Sequence, residues 1–190
     1  MATLVLFGLG ADDPLSSTVA EELKSQLPES LDAAWFDLPA MSIGYCNGCG
    51  YCGDTNPGIC CKRDQMQEIY PHLARAARIV LVSLVRFGGF GGHLKKAIDR
   101  FSPQGLGTYV LHNGEMHHEM RYPGPASVIS IGIMRREDEA EEKTFHLAGS
   151  RIAACVFAER SASTVLAPGM AGEEVRSRIE NSFREAGASR

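Results

Sequence analysis

The sequence lacks the features that place a protein in a membrane or on nucleic acid. No apolar stretch among its 190 residues approaches the ~18 to 20 residues that a membrane-spanning helix needs. Its 19 Lys and Arg are outnumbered by 23 Asp and Glu, and no basic stripe runs along the chain. We therefore expect neither a membrane nor a nucleic acid among its partners.

Internal repeats and a secretory signal are also missing. No basic segment precedes the apolar residues 2–7, and Asp12 and Asp13 follow them closely. With 44% hydrophobic and 22% charged residues, the composition suits one globular domain over residues 1–190 that buries roughly two-thirds of its unfolded surface. We expect a soluble, cytoplasmic protein.

Five short apolar runs are bounded by Gly, Pro or polar residues, as buried strands are. They are Thr3–Phe7, Ala33–Phe36, Ile79–Val85, Val128–Met134 and Ser163–Leu166. Helical spacing of apolar residues lies between and after them, in groups that begin at Val19, Met66, Leu94, Phe145 and Val175. This alternation predicts an α/β fold with right-handed crossovers and a parallel sheet covered on both faces.

Local signals mark the helix starts and an insertion. Capping pairs predict helix starts at Thr18 with Glu21 and at Asp64 with Gln67, and the acidic run 137–142 predicts the first turns of another helix. The insertion spans 102–126, before the fourth strand. Its Asn113-Gly114 dipeptide predicts a two-stranded hairpin from Tyr109 to Tyr122. We expect His117 and His118 on the surface or at an interface of this hairpin.

The loop after the first strand lacks the dinucleotide-binding fingerprint. Gly8 and Gly10 are present, but Asp13 stands where the third glycine of GxGxxG would be. Ligands of an open parallel sheet bind beyond the carboxyl ends of its strands, which is where this loop lies. Three hydroxyl residues, Ser16-Ser17-Thr18, stand at the start of the next helix, where free N–H groups can hold a phosphate. The alternative is that the hydroxyls only cap the helix.

The loop after the second strand holds five of the six cysteines within sixteen residues: Cys46, Cys49, Cys52, Cys60 and Cys61. Neighbours this close form disulfides poorly, and the compartment is predicted to be reducing. Three cysteines at intervals of three and a later fourth resemble iron-sulfur ligation more than a zinc site. A metal-free redox or packing role is the alternative. We expect Cys155, in an apolar helical stretch, to pack as a small hydrophobe.

The loop after the third strand is rich in glycine. Four of the five residues from 88 to 92 are glycine, which lets backbone approach a flat ligand closely, and Phe87 or Phe90 would then lie against that ligand. The alternative is a mobile loop with no ligand. No Ser/His/Asp or paired-carboxylate arrangement is found in the sequence.

Together these three loops resemble the flavodoxin-like family of NAD(P)H-dependent FMN reductases, and especially its iron-sulfur flavoprotein branch. The resemblance covers residues 3–101 well and the rest loosely. The family's Ser-x-Thr matches Ser16-Ser17-Thr18, and its four-cysteine segment is followed here by Asp64-Gln65-Met66. The family's Leu-Lys-x-x-x-Asp-Arg matches Leu94-Lys95 to Asp99-Arg100.

The resemblance implies a three-layer sandwich with a five-stranded parallel sheet in the order 2-1-3-4-5. It implies FMN as cofactor, NAD(P)H as electron donor and a small-molecule or protein redox partner, with no catalytic side chain because the flavin carries the chemistry. The residues it assigns to FMN are Gly8, Ser16, Ser17, Thr18, Leu84, Val85, Arg86, Phe87, Gly88 and Gly89. Family members place flavin near a subunit interface, so a homodimer or homotetramer is expected.

Two alternatives to an FMN oxidoreductase remain open. The first is an electron carrier in which Cys46, Cys49, Cys52 and Cys60 hold a [4Fe-4S] cluster, with Cys61 and Cys155 dispensable. The second is a non-enzymatic protein that binds a partner through the hairpin. An anaerobic absorption spectrum distinguishes the three hypotheses.

The sequence departs from the family where FMN would bind. Residues 9–11 replace the family's Ser-Pro-Arg, and Asp12 and Asp13 add negative charge beside the phosphate. Unit charges ~8 Å apart repel by roughly 2 kcal/mol at an effective dielectric constant of ~20, so FMN is predicted to bind weakly. Leu84 and Arg86 replace the family's Pro and Tyr at the flavin ring, where Arg86 would stabilise a reduced, anionic flavin.

Overall fold

A computed structural model describes residues 2–27 and 32–187 of the chain. Five parallel strands form its central sheet, and three further strands lie beside or outside those five. In chain order the strands are β1 (Thr3–Phe7), β2 (Ala33–Asp37), β3 (Arg78–Arg86), β4 (Gly89–Phe90), β5 (Gly105–His112), β6 (Glu115–Met120), β7 (Ser127–Ile133) and β8 (Arg160–Leu166).

The parallel strands follow the order β2-β1-β3-β7-β8, which confirms the predicted order 2-1-3-4-5. The sheet has a sixth strand because the two residues of β4 pair antiparallel with the end of β3. Strand β3 is central and buried on both faces: Val80 and Val82 pack on one face, Ile79 and Leu81 on the other. This two-sided burial explains why the strand sequences are continuously apolar.

Helices cover both faces of the sheet. They are α1 (Ser16–Gln26), α2 (Met66–Leu73), α3 (Gly92–Ile98), α4 (Glu139–Cys155) and α5 (Gly172–Glu185). Helices α1 and α5 pack on one face through residues such as Val19 and Ile179, while α2 and α3 pack on the other through Met66 and Leu94. The fold is thus the predicted three-layer sandwich. None of the helices in the described ranges is long and apolar enough to cross a membrane.

Two of the predicted helix starts need correction. Helix α1 begins at Ser16, so Thr18 lies in its first turn; the N-cap is Leu15, with a φ of 60° and no capping side chain. At α2, Asp64 accepts a hydrogen bond from the Met66 N–H at 3.1 Å, but Gln67 donates to the Lys62 carbonyl and completes no capping box. The N-cap of α2 is Gln65, whose side chain also makes no capping hydrogen bond.

The acidic run lies in the first turn of α4, as predicted. The Asp138 carboxylate caps the helix by accepting hydrogen bonds from the N–H groups of Ala140 and Glu141, both at 3.1 Å. Glu139 and Glu142 follow in the same turn, near the positive end of the helix dipole.

The predicted hairpin is present as β5 and β6. Asn113 and Gly114 form its turn with φ values of 51° and 81°, the left-handed pair that a two-residue hairpin turn requires. One side of the hairpin packs against the end of α4. The His112 and Phe157 rings stack with their centroids 4.2 Å apart, and the Arg151 guanidinium donates two hydrogen bonds to the Glu115 carboxylate.

The histidines of the hairpin lie among these contacts. The His117 ring packs edge-on against Phe157 and lies 3.3 Å from the Glu115 carboxylate. The His118 ring nitrogen Nδ1 lies 2.8 Å from the Leu106 carbonyl oxygen across the hairpin. Both histidines therefore make their contacts within the hairpin or with Phe157.

Candidate functional site

The loops after β1, β3 and β7 meet at the carboxyl edge of the sheet. Gly8 is buried there and its N–H donates to the Val82 carbonyl at 2.9 Å. A Cβ at this position would lie 2.8 Å from the same carbonyl oxygen, so only glycine permits the close approach of β1 to β3.

The start of α1 has free hydrogen-bond donors. Among the described residues, no acceptor contacts the N–H groups of Ser17 and Thr18. The Ser16 side chain is buried, Thr18 is half-buried and Ser17 is exposed. Unpaired N–H groups at the positive end of a helix favour a bound anion, so the start of this 11-residue helix is a candidate anion site.

Asp13 closes the loop before this helix. Its carboxylate accepts a hydrogen bond from the Gly10 N–H at 2.8 Å and lies 3.1 Å from the Arg135 guanidinium. The Arg135 guanidinium therefore offsets the negative charge of Asp13, one of the two carboxylates expected beside a phosphate. Asp12 is exposed and has no ion pair within residues 2–27 and 32–187.

The glycine-rich segment is a two-residue hairpin between β3 and β4. Phe87 and Gly88 form its turn with φ values of 52° and 72°. A Cβ on Gly88 would lie 2.5 Å from the Thr144 Cβ of α4, so this glycine permits packing as well as the turn. The segment is therefore a regular turn packed on α4.

The residues predicted to face a flat ligand differ in their exposure. Phe87 is 95% exposed, whereas Phe90 is half-buried and packs edge-on against Phe145, with the ring centroids 5.3 Å apart. The side chains of Leu84 and Val85 are buried, which leaves their backbone atoms for any contact.

A cavity of about 430 Å³ opens beside this turn. Val85 and Arg86 line it from the end of β3 and Phe87 from the turn, while Arg135 and Arg136 line it from the loop after β7. The sequence analysis did not identify Arg135 and Arg136 as site residues. Their position directly after the fourth parallel strand was a usable signal, because parallel strands end at one edge of the sheet.

A second cavity, of about 580 Å³, lies between the cysteine loop, the base of the hairpin and the end of α4. All six cysteines line it: Cys46, Cys49, Cys52, Cys60, Cys61 and Cys155. The two cavities share no lining residue. Cys155 is exposed to this cavity, so the prediction that it packs as a small hydrophobe is wrong; α4 ends at this residue and leaves its thiol uncovered.

The cysteine thiols have separate partners. The Cys49 and Cys61 sulfur atoms are 3.7 Å apart, the Cys46 sulfur accepts a hydrogen bond from Gly48 N–H at 3.4 Å, and the Cys60 sulfur accepts one from Arg100 at 3.4 Å. Within the described ranges, no three His, Cys, Asp or Glu side chains converge in a metal-binding arrangement. The four predicted ligands thus share a cavity but do not point at a common centre.

Arg100 links the cysteine loop to the fold, a role that the sequence did not reveal. It is 1% exposed and donates hydrogen bonds to the Asp64 carboxylate and to the Gly44 carbonyl as well as to Cys60. Asp64 begins one match to the resembled family and Arg100 ends another, and their opposite charges were the available signal. Tyr70 lies in the same buried region.

This network shifts the pKa values of its members. Burial alone would raise the pKa of Asp64, but hydrogen bonds from Arg100 and from the Gly44 and Met66 N–H groups outweigh burial and lower it. Burial likewise works against the Cys60 thiolate, yet the Lys62 N–H and Arg100 leave the Cys60 pKa below its ordinary value. Burial raises the pKa of Tyr70.

The thiols nearest each other differ in acidity. A hydrogen bond from the Tyr51 N–H, followed by contact with Cys61, lowers the pKa of Cys49. The same contact raises the pKa of Cys61.

Comparison with known proteins identifies relatives of the chain. Residues 1–164 match the model of the NADPH-dependent FMN reductase family. Two iron-sulfur flavoproteins of Methanocaldococcus jannaschii are similar in sequence: one is 32% identical over 95 residues and the other 28% over 98. Each match covers 50% of this chain, and it spans 48% of the first relative and 49% of the second, about half the length of each.

Solved structures match over nearly the whole chain. An NAD(P)H:quinone oxidoreductase from Methanothermobacter marburgensis superposes with a TM-score of 0.65 at 14% identity, over 97% of this chain and 96% of that one. An azoreductase from Bacillus anthracis gives a TM-score of 0.64 at 12% identity, over 100% of both chains. At these identities the likeness shows that the fold is shared.

Proposed function

Because this chain belongs to the NADPH-dependent FMN reductase family, we propose that it is an FMN-dependent oxidoreductase that passes electrons from a nicotinamide through the flavin to an acceptor. One observation of the structure carries the proposal: free N–H groups at the start of α1 lie at the sheet edge where the glycine-rich turn and the smaller cavity also lie. The names of the relatives, which include a quinone oxidoreductase and an azoreductase, agree with this chemistry.

The residues at the sheet edge fit FMN. The Ser17 and Thr18 N–H groups, with the hydroxyls of the first turn of α1, would hold the phosphate. Backbone atoms of residues 84–89 would border the flavin ring, because the Leu84 and Val85 side chains point into the core. Bound FMN supplies hydride acceptance from a nicotinamide and onward electron transfer.

The side chains around the cavity supply orientation and charge. Arg86, Arg135 and Arg136 border one space together with Glu141. Asp13 pairs with Arg135 and Asp138 pairs with Arg136, so Arg86 is the arginine of this space that has no ion pair among the described residues. Arg86 would place positive charge beside a reduced, anionic flavin or an anionic donor. The exposed Phe87 offers an apolar surface for a flat ring.

A four-cysteine [4Fe-4S] cluster is the second candidate, favoured by the names of the curated relatives and by the gathering of the cysteines in one cavity. The residues as arranged do not fit it, since the Cys49 thiol contacts Cys61 and the Cys60 thiol is held by buried Arg100.

FMN titration by fluorescence quenching tests the main proposal. We expect saturable binding at tens of micromolar FMN or tighter, and FMN-dependent oxidation of NADH or NADPH when an artificial acceptor is present. Absence of saturable binding in that range would overturn the proposal. An anaerobic absorption spectrum tests the alternatives: flavin bands alone support a reductase, added broad visible absorbance supports a cluster, and neither supports a non-enzymatic binding protein.

The assembly is proposed from the same family membership. We propose a homodimer or a homotetramer in which the hairpin contributes to the interface, acting on a small-molecule or protein redox partner. One globular domain over residues 1–190 and a cytoplasmic location stay predictions.

A further inference from the structure

Cys49 and Cys61 are distinguished from the other cysteines by direct contact. Their sulfur atoms are 3.7 Å apart, although twelve positions separate them in the chain, and both residues are exposed. Among the described cysteines, no other pair of sulfur atoms is in such contact. We propose that these two residues form a redox-active dithiol that reacts with small-molecule disulfides and closes to an intramolecular disulfide.

The backbone around Cys49 allows the remaining movement. A disulfide bond is about 2.05 Å long, so the two sulfur atoms must approach by roughly 1.7 Å. Gly48 and Gly50 flank Cys49 with φ values of 62° and 71°, and the space beside Gly48 is open. Residues 48–50 are all exposed, so a shift of the segment that carries Cys49 would not disturb the core packing.

The neighbouring thiols are less suited to the same reaction. Cys60 is held by buried Arg100, and Cys46 accepts a hydrogen bond from Gly48 within its own turn. A disulfide between Cys49 and Cys61 would link a residue near the start of the cysteine loop to the residue at its end.

The cavity gives a disulfide substrate access to the pair. At about 580 Å³ it lies in the size range of small-molecule sites, and both thiols line it. Apolar side chains from the hairpin and α4, such as Met120 and Ile152, form the opposite wall. Such a space accommodates a small peptide-like disulfide, for which oxidised glutathione is a suitable probe.

The reaction balances without another oxidant. The thiolate of one cysteine attacks a disulfide RS–SR, the S–S bond breaks, one RS⁻ leaves and a mixed disulfide forms. The second thiolate attacks the protein sulfur of that mixed disulfide, which forms the Cys49–Cys61 bond and releases the second RS⁻. Each protein thiol gives up one proton and each leaving RS⁻ takes one up. The dithiol is oxidised by two electrons and RS–SR is reduced to two RSH.

This inference goes beyond the proposed flavin chemistry and does not depend on it. Neither thiol lines the cavity at the carboxyl edge of the sheet. Thiol exchange can therefore be measured whether or not FMN is bound, and a failure of FMN binding leaves the thiol result interpretable.

The experiment uses the full-length protein, reduced, freed of reductant and treated with oxidised glutathione. After remaining thiols are alkylated, cleavage before Asp37, Asp54 and Asp64 separates a peptide with Cys49 from a peptide with Cys61. Mass spectrometry is expected to find these two peptides joined by a disulfide. The cross-linked pair should be lost in Cys49→Ser and in Cys61→Ser, each of which should stop at a mixed disulfide with one glutathione.

Matched controls use cysteines of the same cavity. Cys46→Ser and Cys155→Ser should keep the cross-linked pair, since neither thiol contacts Cys49 or Cys61. A cross-link that survives in Cys49→Ser or in Cys61→Ser would overturn the proposal, as would wild-type protein that stops at the mixed disulfide. Stoichiometric iron and sulfide in the isolated protein, with Cys49 resistant to alkylation, would overturn it in favour of the cluster.

Discussion

Arg100 links the cysteine loop to the helical layer through hydrogen bonds. Its guanidinium is buried and holds the Asp64 carboxylate, the Gly44 carbonyl and the Cys60 sulfur at once. A buried arginine of this kind sets the position of a loop that has no regular secondary structure. Arg100 would therefore position the cysteine loop without contacting a substrate.

Replacing Arg100 by Met should destabilise the protein by about 3 kcal/mol, because Asp64 is left partly buried with no cation. Unfolding in urea, followed by circular dichroism, measures the loss. Lys95→Met is the matched control, since it breaks an exposed ion pair with Asp99 that is expected to contribute less than ~1 kcal/mol. Equal losses in the two variants would contradict a special role for Arg100.

The same pair should make stability depend on pH. The pKa of Asp64 is lower in the folded protein than its unfolded value of about 3.9. The stabilisation is thus present above the unfolded value and is lost as pH falls through the folded value. The difference in unfolding free energy between wild type and Arg100→Met should therefore narrow on acidification from neutral pH to about pH 3. A constant difference would show that Asp64 titrates normally.

Asp12 is expected to weaken FMN binding by charge repulsion. Its carboxylate is exposed and unpaired among the described residues, so Asp12→Asn should lower the Kd for FMN by several-fold, up to about thirtyfold for a repulsion of roughly 2 kcal/mol. Asp13→Asn is the contrasting variant: Asp13 holds Gly10 N–H and Arg135, so its replacement should give no comparable gain. Fluorescence titration at low and high salt distinguishes these outcomes, since salt should reduce the Asp12 effect.

At the scale of elements, the turn between β3 and β4 links the sheet edge to α4. Gly88→Ala should destabilise the protein by more than Gly114→Ala, measured by urea unfolding. Both positions have a positive φ, which costs alanine roughly 1–2 kcal/mol, but a Cβ meets Thr144 at 2.5 Å only at position 88. Thr144→Gly in the Gly88→Ala background should recover part of the difference. No recovery would contradict the packing explanation.

Strands with burial on both sides are among the elements that the sequence predicted well. Strand β1 has the predicted bounds because every residue from Thr3 to Phe7 is buried. Strand β8 begins at Arg160, earlier than the predicted Ser163, because its first residues are exposed and become strand through backbone pairing with β7. The two residues of β4 carry no periodic pattern and could not be predicted.

The candidate site was predictable in part for the same reason. The motifs located the loops, since strand ends fix where those loops lie. The contact between Cys49 and Cys61 depends on the path of an irregular loop, and spacing along the chain carries no information about that path. The open thiol of Cys155 was missed because an apolar context in sequence does not reveal where a helix ends.

At the scale of the whole molecule, the hairpin has one side on its own chain and one side uncovered. His112 and Glu115 anchor it to the end of α4, whereas Tyr109, Leu111 and Met116 are 60%, 78% and 75% exposed. A two-stranded hairpin is marginally stable in water by itself, and in the described residues only the His112 side of this one packs on its own chain. The uncovered side is the surface that a second copy of the chain would bury.

Leu111→Glu with Met116→Glu should lower the oligomeric mass measured by light scattering, because charge on this surface opposes burial against a second copy while the anchors to α4 are kept. Asn181→Glu on α5 is the control, since it adds a charge to an exposed position on the other layer and should leave the mass unchanged. Replacing residues 105–122 by a short Gly/Ser linker should act as the double variant does. If both altered proteins are folded and keep the parent's mass, the hairpin is not in the interface, and the exposed residues Tyr109, Leu111 and Met116 then serve a surface other than self-association.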